Sequence, residues 1–312
     1  MKVLYYQGES MKIQLKLTIM FLILLTLASC SSSTAQKNAE MNKKAEIYYS
    51  HGTEALLKKE YTTALEALIK AKELDPKNSK IINNLGMAYF FKGRTDLAVK
   101  ELTLAIQIDE KNSDAKNNLA SIYYNQKKYG EAKNLWSDVK DDLIYHHQYR
   151  TYYNLALISE TEGNEFEAME LLRKSVAVRE DYCPAHFKLG ELSSKKQRFK
   201  DALKHYKDAS MGDCYNFPAP LYEQGRMMIK LKDYDNAREK FSEVIQRFKS
   251  TPYEKMARVQ IEQLSAATQT SSRSNDRVQI KESAPVRKKI DQAALEDADL
   301  EQELEKYEAM EF

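Results

Sequence analysis

Glycine and proline are scarce, with 9 and 6 copies among 312 residues. Strand-rich folds need many tight turns, and those turns draw on these two residues, so the composition argues against an all-β chain. Cysteine is scarcer still; three copies are too few for a disulfide framework. A single tryptophan stands against 20 tyrosines and 10 phenylalanines, which suits a helical array with aromatic packing. An excess of one charge is also missing, because 48 basic and 46 acidic residues leave a net charge of +2. No global basic field points to nucleic acid or to an acidic membrane surface. With 43% hydrophobic and 30% charged residues, neither a largely disordered chain nor a polytopic membrane protein fits. The length suits one elongated domain or two compact ones. Gly-rich phosphate loops, nucleophile elbows and zincin motifs are all absent, so the sequence offers no enzyme active site.

The N-terminal region reads as an address. Lys12 and Lys16 precede an apolar run from Leu17 to Leu27. That run is too short to span a bilayer, which takes about 20 apolar residues, but it suits the core of a secretory signal. Leu27-Ala28-Ser29-Cys30 closes it, and small residues before a cysteine resemble the bacterial lipobox. The resemblance implies a signal peptide over 1–29, starting at Met11, and a diacylglyceryl thioether on Cys30 as the mature N-terminus. Residues 30–44, opening with Ser31-Ser32-Ser33-Thr34, then form a tether. Two or three acyl chains anchor stably where one is marginal. Ser31 stands where lipoproteins kept on the inner membrane often carry Asp. The resemblance to lipoprotein sorting therefore implies the outer membrane, facing the periplasm, in a two-membrane bacterium.

The middle of the chain repeats. Ala64, Ala98, Ala132, Ala168, Ala202 and Ala237 recur at spacings of 34, 34, 36, 34 and 35. Twelve residues before each lies a small residue: Gly52, Gly86, Ala120, Ala156, Gly190 and Gly225. Four residues after each lies a large one: Leu68, Leu102, Trp136, Leu172, Tyr206 and Phe241. A period near 34 with this order resembles the tetratricopeptide repeat. The resemblance covers 45–264 and implies an all-α, right-handed superhelical solenoid of about six repeats, each a pair of antiparallel helices A and B. Small residues let the two helices of a pair approach, and the large residue four positions on fills the next groove. Turn signals fit, as at Asp75-Pro76-Lys77-Asn78, Lys92-Gly93-Arg94 and Glu162-Gly163-Asn164. Extra residues around 141–148 predict a longer loop. His51 and Gln224 replace the usual Leu in the first and last repeats, which suits capping of the ends.

In this repeat family the A helices line the concave face. Position six of successive repeats is Ser50, Asn84, Asn118, Asn154, Lys188 and Glu223. Each amide of Asn84, Asn118 and Asn154 offers donor and acceptor, so the three can pair with a peptide backbone without reading its side chains. Asn is also frequent at this position in the family for reasons of packing. Tyr49, Leu56, Met87, Phe90, Phe91, Tyr124, Tyr153, Phe187 and Tyr222 are the candidate aromatic and apolar anchors beside them. The carboxylate clamp of chaperone-binding relatives is not expected, because Tyr49, Thr53 and Asp114 hold its positions.

Cys183 opens helix A of the fifth repeat and Cys214 follows its helix B, so an oxidising compartment would let them bridge; two free buried thiols are the other reading. His146-His147 follow two aspartates, but adjacent histidines without a spaced ligand set do not make a metal site. No metal, and no cofactor beyond the covalent lipid at Cys30, is expected. Residues 265–290 read as a disordered linker rich in Ser, Thr, Gln and Asn. Residues 291–312 form an acidic tail in which Leu300, Leu304 and Tyr307 recur at helical spacing, either a solubilising tail or a short partner-binding helix.

A lipobox, a tether and six repeats together resemble the type IV pilus biogenesis lipoproteins of the pilotin family. That resemblance implies a non-enzymatic protein-binding lipoprotein that assists assembly and outer-membrane localisation of the pilus secretin, with secretin subunits as partner and no nucleic acid. A periplasmic adaptor for peptidoglycan hydrolases or outer-membrane protein assembly shares the same anchor and repeats.

Overall fold

The structure, a computed structural model, describes residues 36–274, without the side chains of Asp213 and of 266–274. Cys30, the signal region, most of the linker and the acidic tail lie outside the described residues. All regular structure among the described residues is helical. The chain divides between Asp142 and Leu143 into two compact units. The first holds α1 (36–57), α2 (Tyr61–Leu74), α3 (Ser79–Phe91), α4 (Thr95–Ile108), α5 (Ser113–Asn125) and α6 (Tyr129–Val139). The second holds α7 (Gln148–Thr161), α8 (Glu165–Val178), α9 (Cys183–Lys195), α10 (Phe199–Ala209), a 3-10 turn (Gly212–Cys214), α11 (Pro218–Lys230), α12 (Tyr234–Arg247) and α13 (Pro252–Ser274). The loop from Val139 to Gln148, predicted to be long, carries the division and exposes Leu143 and Ile144.

The repeat signature becomes packing in both units. In every B helix the positions i, i+4 and i+7 from the signature alanine are buried: Ala64, Leu68 and Ala71 in α2, and likewise through to Ala237, Phe241 and Val244 in α12. In four of the A helices the small residue is a glycine that faces the large residue of the partner helix: Gly52, Gly86, Gly190 and Gly225. A Cβ added at Gly190 would lie 2.6 Å from the Tyr206 ring, and one at Gly225 2.7 Å from that of Phe241. Neither distance is tolerable, so the ring on B dictates the missing side chain on A. Two buried polar groups among the repeat positions are satisfied: Ser175 donates to the Tyr149 carbonyl at 2.7 Å, and the Trp136 indole donates to Asn117 Oδ1 at 3.0 Å.

The turns between A and B share one device. Lys59, Gly93, Lys127, Gly163, Gln197 and Lys232 all have φ between 58° and 81°. Each ends its A helix in the left-handed conformation; at the second, the Arg94 amide reaches back to the Tyr89 carbonyl at 2.9 Å. Only two of the six are glycine, so the sequence signal at Gly93 and Gly163 marks a conformation that lysine and glutamine adopt at the equivalent places. At the start of the following A helices, Asn78 and Asn112 accept from the amides of the first turn.

Helical structure extends past the repeat at both ends. Residues 36–40 are helical but exposed, and burial begins at Ala45, where the repeat was predicted to start. The helix simply continues outward beyond its packed face. At the other end α13 follows the six pairs and runs to Ser274, ten residues past the predicted end. It buries Tyr253, Ala257 and Leu264 against Tyr222 and Phe241 of the last pair. A terminal pair has an apolar flank with no further repeat to cover it, and α13 covers that flank. Gln224 therefore does not face solvent at the end of the array. It is buried and donates to the Tyr206 carbonyl at 3.1 Å and to Ser210 Oγ at 3.0 Å. His51, the other substituted position, is exposed.

Candidate functional site

In the first unit a hydrogen-bonded chain of side chains runs along the A helices. Asn118 on α5 donates to Asn83 Oδ1 on α3 at 2.9 Å, and Asn83 donates to Asn84 Oδ1 at 3.0 Å. Asn84 donates to Thr53 Oγ1 on α1 at 2.8 Å, and Thr53 donates to the Tyr49 carbonyl at 2.8 Å. Asn84 and Asn118 are thus not independent amides. They are fixed in rotamer by a linking residue, Asn83, that sequence reasoning missed. Its signal was the doublet Asn83-Asn84, echoed 34 residues on by Asn117-Asn118. In each doublet the first amide is buried and holds the packing, while the second is half-buried and faces outward. An amide has two N–H donors and two acceptor lone pairs; Asn84 also hydrogen-bonds the Tyr49 hydroxyl, so the chain leaves Asn84 an acceptor and Asn118 both a donor and an acceptor for a ligand. Tyr49 is half-buried beside them, and burial pushes its hydroxyl pKa above the ordinary value, against opposing side-chain contacts with Thr53 and Asn84.

In the second unit the same face is charged. Asn154 holds the repeat position on α7 and is half-buried. On α9, Lys188 lies 3.3 Å from Glu160 and 3.0 Å from Glu191. Burial works against its charge, but the two carboxylates outweigh that and hold its pKa above the usual lysine range. On α11, Glu223 pairs with Arg226 at 2.8 Å. Burial raises the Glu223 pKa above the ordinary carboxylate range, with Arg226 opposing and Glu191 adding to the rise.

The predicted anchors separate into two groups. Tyr49, Phe90, Phe91, Tyr124 and Phe187 are half-buried and keep part of their surface. Phe91 stacks on Tyr61 at 4.9 Å, and Tyr124 leans on Tyr129 and Trp136. Met87, Tyr153 and Tyr222 are instead buried between helices and cannot serve as anchors. Met87 packs with Leu102, Leu119 and Ile122. Tyr182, just ahead of α9, closes edge-on over Tyr153, and Tyr253 of α13 does the same to Tyr222. Reading single repeats could not reveal which neighbour would cover these rings. Cys183 and Cys214 form a disulfide with 6.0 Å between their Cα atoms, tying the start of α9 to the turn after α10.

Models of the tetratricopeptide repeat match residues 45–78 and 79–112, which are α1–α2 and α3–α4, and residues 221–251, which span most of α11 and α12. The chain carries tetratricopeptide repeats. The intervening residues 118–209 match a domain of unknown function, DUF6340, although they hold the same helix pairs. None of the curated proteins matches the chain in sequence. Among solved structures, Pseudomonas aeruginosa PilF matches with a TM-score of 0.62 and 20% identity, over 73% of this chain and 99% of that one. PilW, described as a widely conserved type IV pilus biogenesis factor, matches with a TM-score of 0.59 and 18% identity, over 69% and 98%. Cut9, or its partner in the Cut9–Hcn1 assembly of the APC/C, reaches 0.58 at 11% identity over 73% of this chain, but over 46% of its own length. At these identities the likeness is one of fold. The tetratricopeptide chain thus shares the helix-pair architecture of the pilus biogenesis proteins over nearly their whole length. Among its described residues no helix is long and apolar enough to cross a membrane.

Proposed function

We propose that this protein is a non-enzymatic, lipid-anchored binding factor that assists assembly and outer-membrane localisation of a type IV pilus secretin. The observation that supports the reading is the fold match along 99% of PilF and 98% of PilW, the latter a type IV pilus biogenesis factor; the lipobox at Cys30 suggests the anchor. The chemistry of the first unit supports binding without catalysis. Asn84 and Asn118 are held in fixed rotamers, so they lose little freedom when a peptide backbone pairs with them. Phe90, Phe91 and Tyr124 offer apolar contact beside those amides. The lipid on Cys30 keeps this surface at the membrane where secretin subunits insert.

The test is the amount of heat-resistant secretin multimer in outer membranes of cells with the protein, without it, and with Cys30→Ala. Loss of multimer on deletion and mislocalised secretin with Cys30→Ala are expected. Unchanged multimers in both strains would refute the secretin role and leave the periplasmic adaptor. Asn84→Ala with Asn118→Ala should lower secretin binding at least about tenfold if the amide chain is the contact.

A further inference from the structure

The sequence gives no reason to look for a metal, yet two helices of the second unit bring three ligand-bearing side chains together. His186 lies on α9, and His205 and Asp208 lie on α10. His205 and Asp208 are three residues apart, so they share a helix face, and that face is turned toward His186. One ligand atom from each of the three lies within 4.8 Å of the others. His186 Nδ1 and Asp208 Oδ2 are 3.7 Å apart, beyond hydrogen-bonding reach.

The tautomer of the neutral His186 ring is decided by its other nitrogen. Nε2 lies 2.9 Å from the Glu180 carbonyl, and a carbonyl only accepts, so Nε2 carries the proton. In the neutral ring Nδ1 is then a bare lone pair. It is buried, it has no hydrogen-bond partner, and it points into the cluster. His205 Nδ1 is likewise buried and unpartnered. A buried unpaired ring nitrogen costs free energy, and two beside one carboxylate call for a shared occupant. A histidine whose far N–H donates to a backbone carbonyl while the near nitrogen faces outward is the arrangement found behind metal-ligating histidines.

We propose that His186, His205 and Asp208 bind a divalent transition-metal ion of the Zn2+ type. Two imidazoles and one carboxylate are a borderline donor set that suits Zn2+ over Ca2+ or Mg2+. Bonds of about 2.0–2.1 Å in a tetrahedral site need ligand atoms roughly 3.3 Å apart, so small side-chain rotations close the cluster. A fourth position stays open to water, because His205 and Asp208 are only half-buried. The Cys183–Cys214 disulfide stands one helical turn from His186 and fixes the ends of α9 and α10 near the cluster. The ion would cross-link those two helices a second time.

The test is a Zn2+ titration of the full chain, freed of metal with a chelator, by calorimetry and by competition with a colorimetric chelator. Equimolar binding is expected, weakened at least about tenfold by His205→Gln and by Asp208→Asn. Both positions are half-buried, and circular dichroism checks that each variant keeps its helices. In parallel, the histidine ring resonances are followed by NMR. Zn2+ should move those of His186 and His205 and leave those of His51, His146 and His147. Absence of binding to the parent chain overturns the proposal. So does binding that both variants retain, or a response confined to the other three histidines.

Discussion

In the first unit, helices α1, α3 and α5 are joined by neutral amides from Asn118 through Asn83 and Asn84 to Thr53. In the second, Lys188 bridges Glu160 and Glu191, and Glu223 pairs with Arg226. Both units are built of the same helix pairs, so the contrast at these A-helix positions lies in side-chain chemistry. Amides keep their donors and acceptors at any pH and at any salt, and they suit a backbone read without regard to sequence. Half-exposed ion pairs weaken in salt and respond to the charge of a partner. The second unit is also stapled by Cys183–Cys214, whereas the described residues of the first hold no cysteine. One repeat design thus supports a surface of fixed polarity in one unit and a charged surface with reinforced helix ends in the other.

The largest way to break the comparison is to remove the staple. Closing a loop of 31 residues contributes about 3–4 kcal/mol on the chain-entropy account. Cys183→Ser with Cys214→Ser should therefore speed hydrogen exchange in α9–α12 and leave α2–α5 unchanged. Equal loss of protection in both units would show that they unfold as one. A smaller effect separates the two kinds of helix crossing. Gly190→Ala pushes a methyl against the rigid, buried Tyr206 ring and should cost about 1–3 kcal/mol in urea unfolding. Gly52→Ala meets Leu68 Cγ at 2.6 Å, and this smaller side chain shifts with less repacking than a ring, so the change should cost less. Equal costs would mean that the backbone, not the side chain on the B helix, absorbs the methyl.

The smallest effect sharpens the electrostatic contrast. The Glu223 pKa is raised in the folded protein, so the folded state holds that proton more tightly than the unfolded state does. Its contribution to stability is full below the ordinary carboxylate value of 4.5 and is lost as pH rises through the raised folded value. At neutral pH the half-buried carboxylate is a net cost. Glu223→Gln should therefore raise the melting temperature at neutral pH, with the gain shrinking as pH falls toward 4. A loss at neutral pH would instead make the ion pair with Arg226 the dominant contribution.

Much of the fold was legible because a repeat states its packing rule six times. The alanine, the large residue four positions on and the small residue twelve before are local consequences of two helices crossing closely. They fixed the helix pairs, the B-helix core and the approximate start of the array. The cysteine pair was placed by the same logic, since antiparallel helices return their ends to one edge. The site was only partly legible. Asn84 and Asn118 were readable by position, but Asn83 was not, because its role depends on amides from two other helices. Met87, Tyr153 and Tyr222 looked the same in sequence as Phe90 and Tyr124. Whether they are covered depends on Met87's neighbours across the stack, on Tyr182 and on α13.

The sequence by itself determined the period, the helix pairs and the residues at each crossing, because those follow from contacts within about 34 residues along the chain. The tertiary structure alone decided which rings keep a surface, how the amides link, and that His186 meets His205 and Asp208. Those depend on residues from separate helices meeting at side-chain distance, which no local pattern encodes.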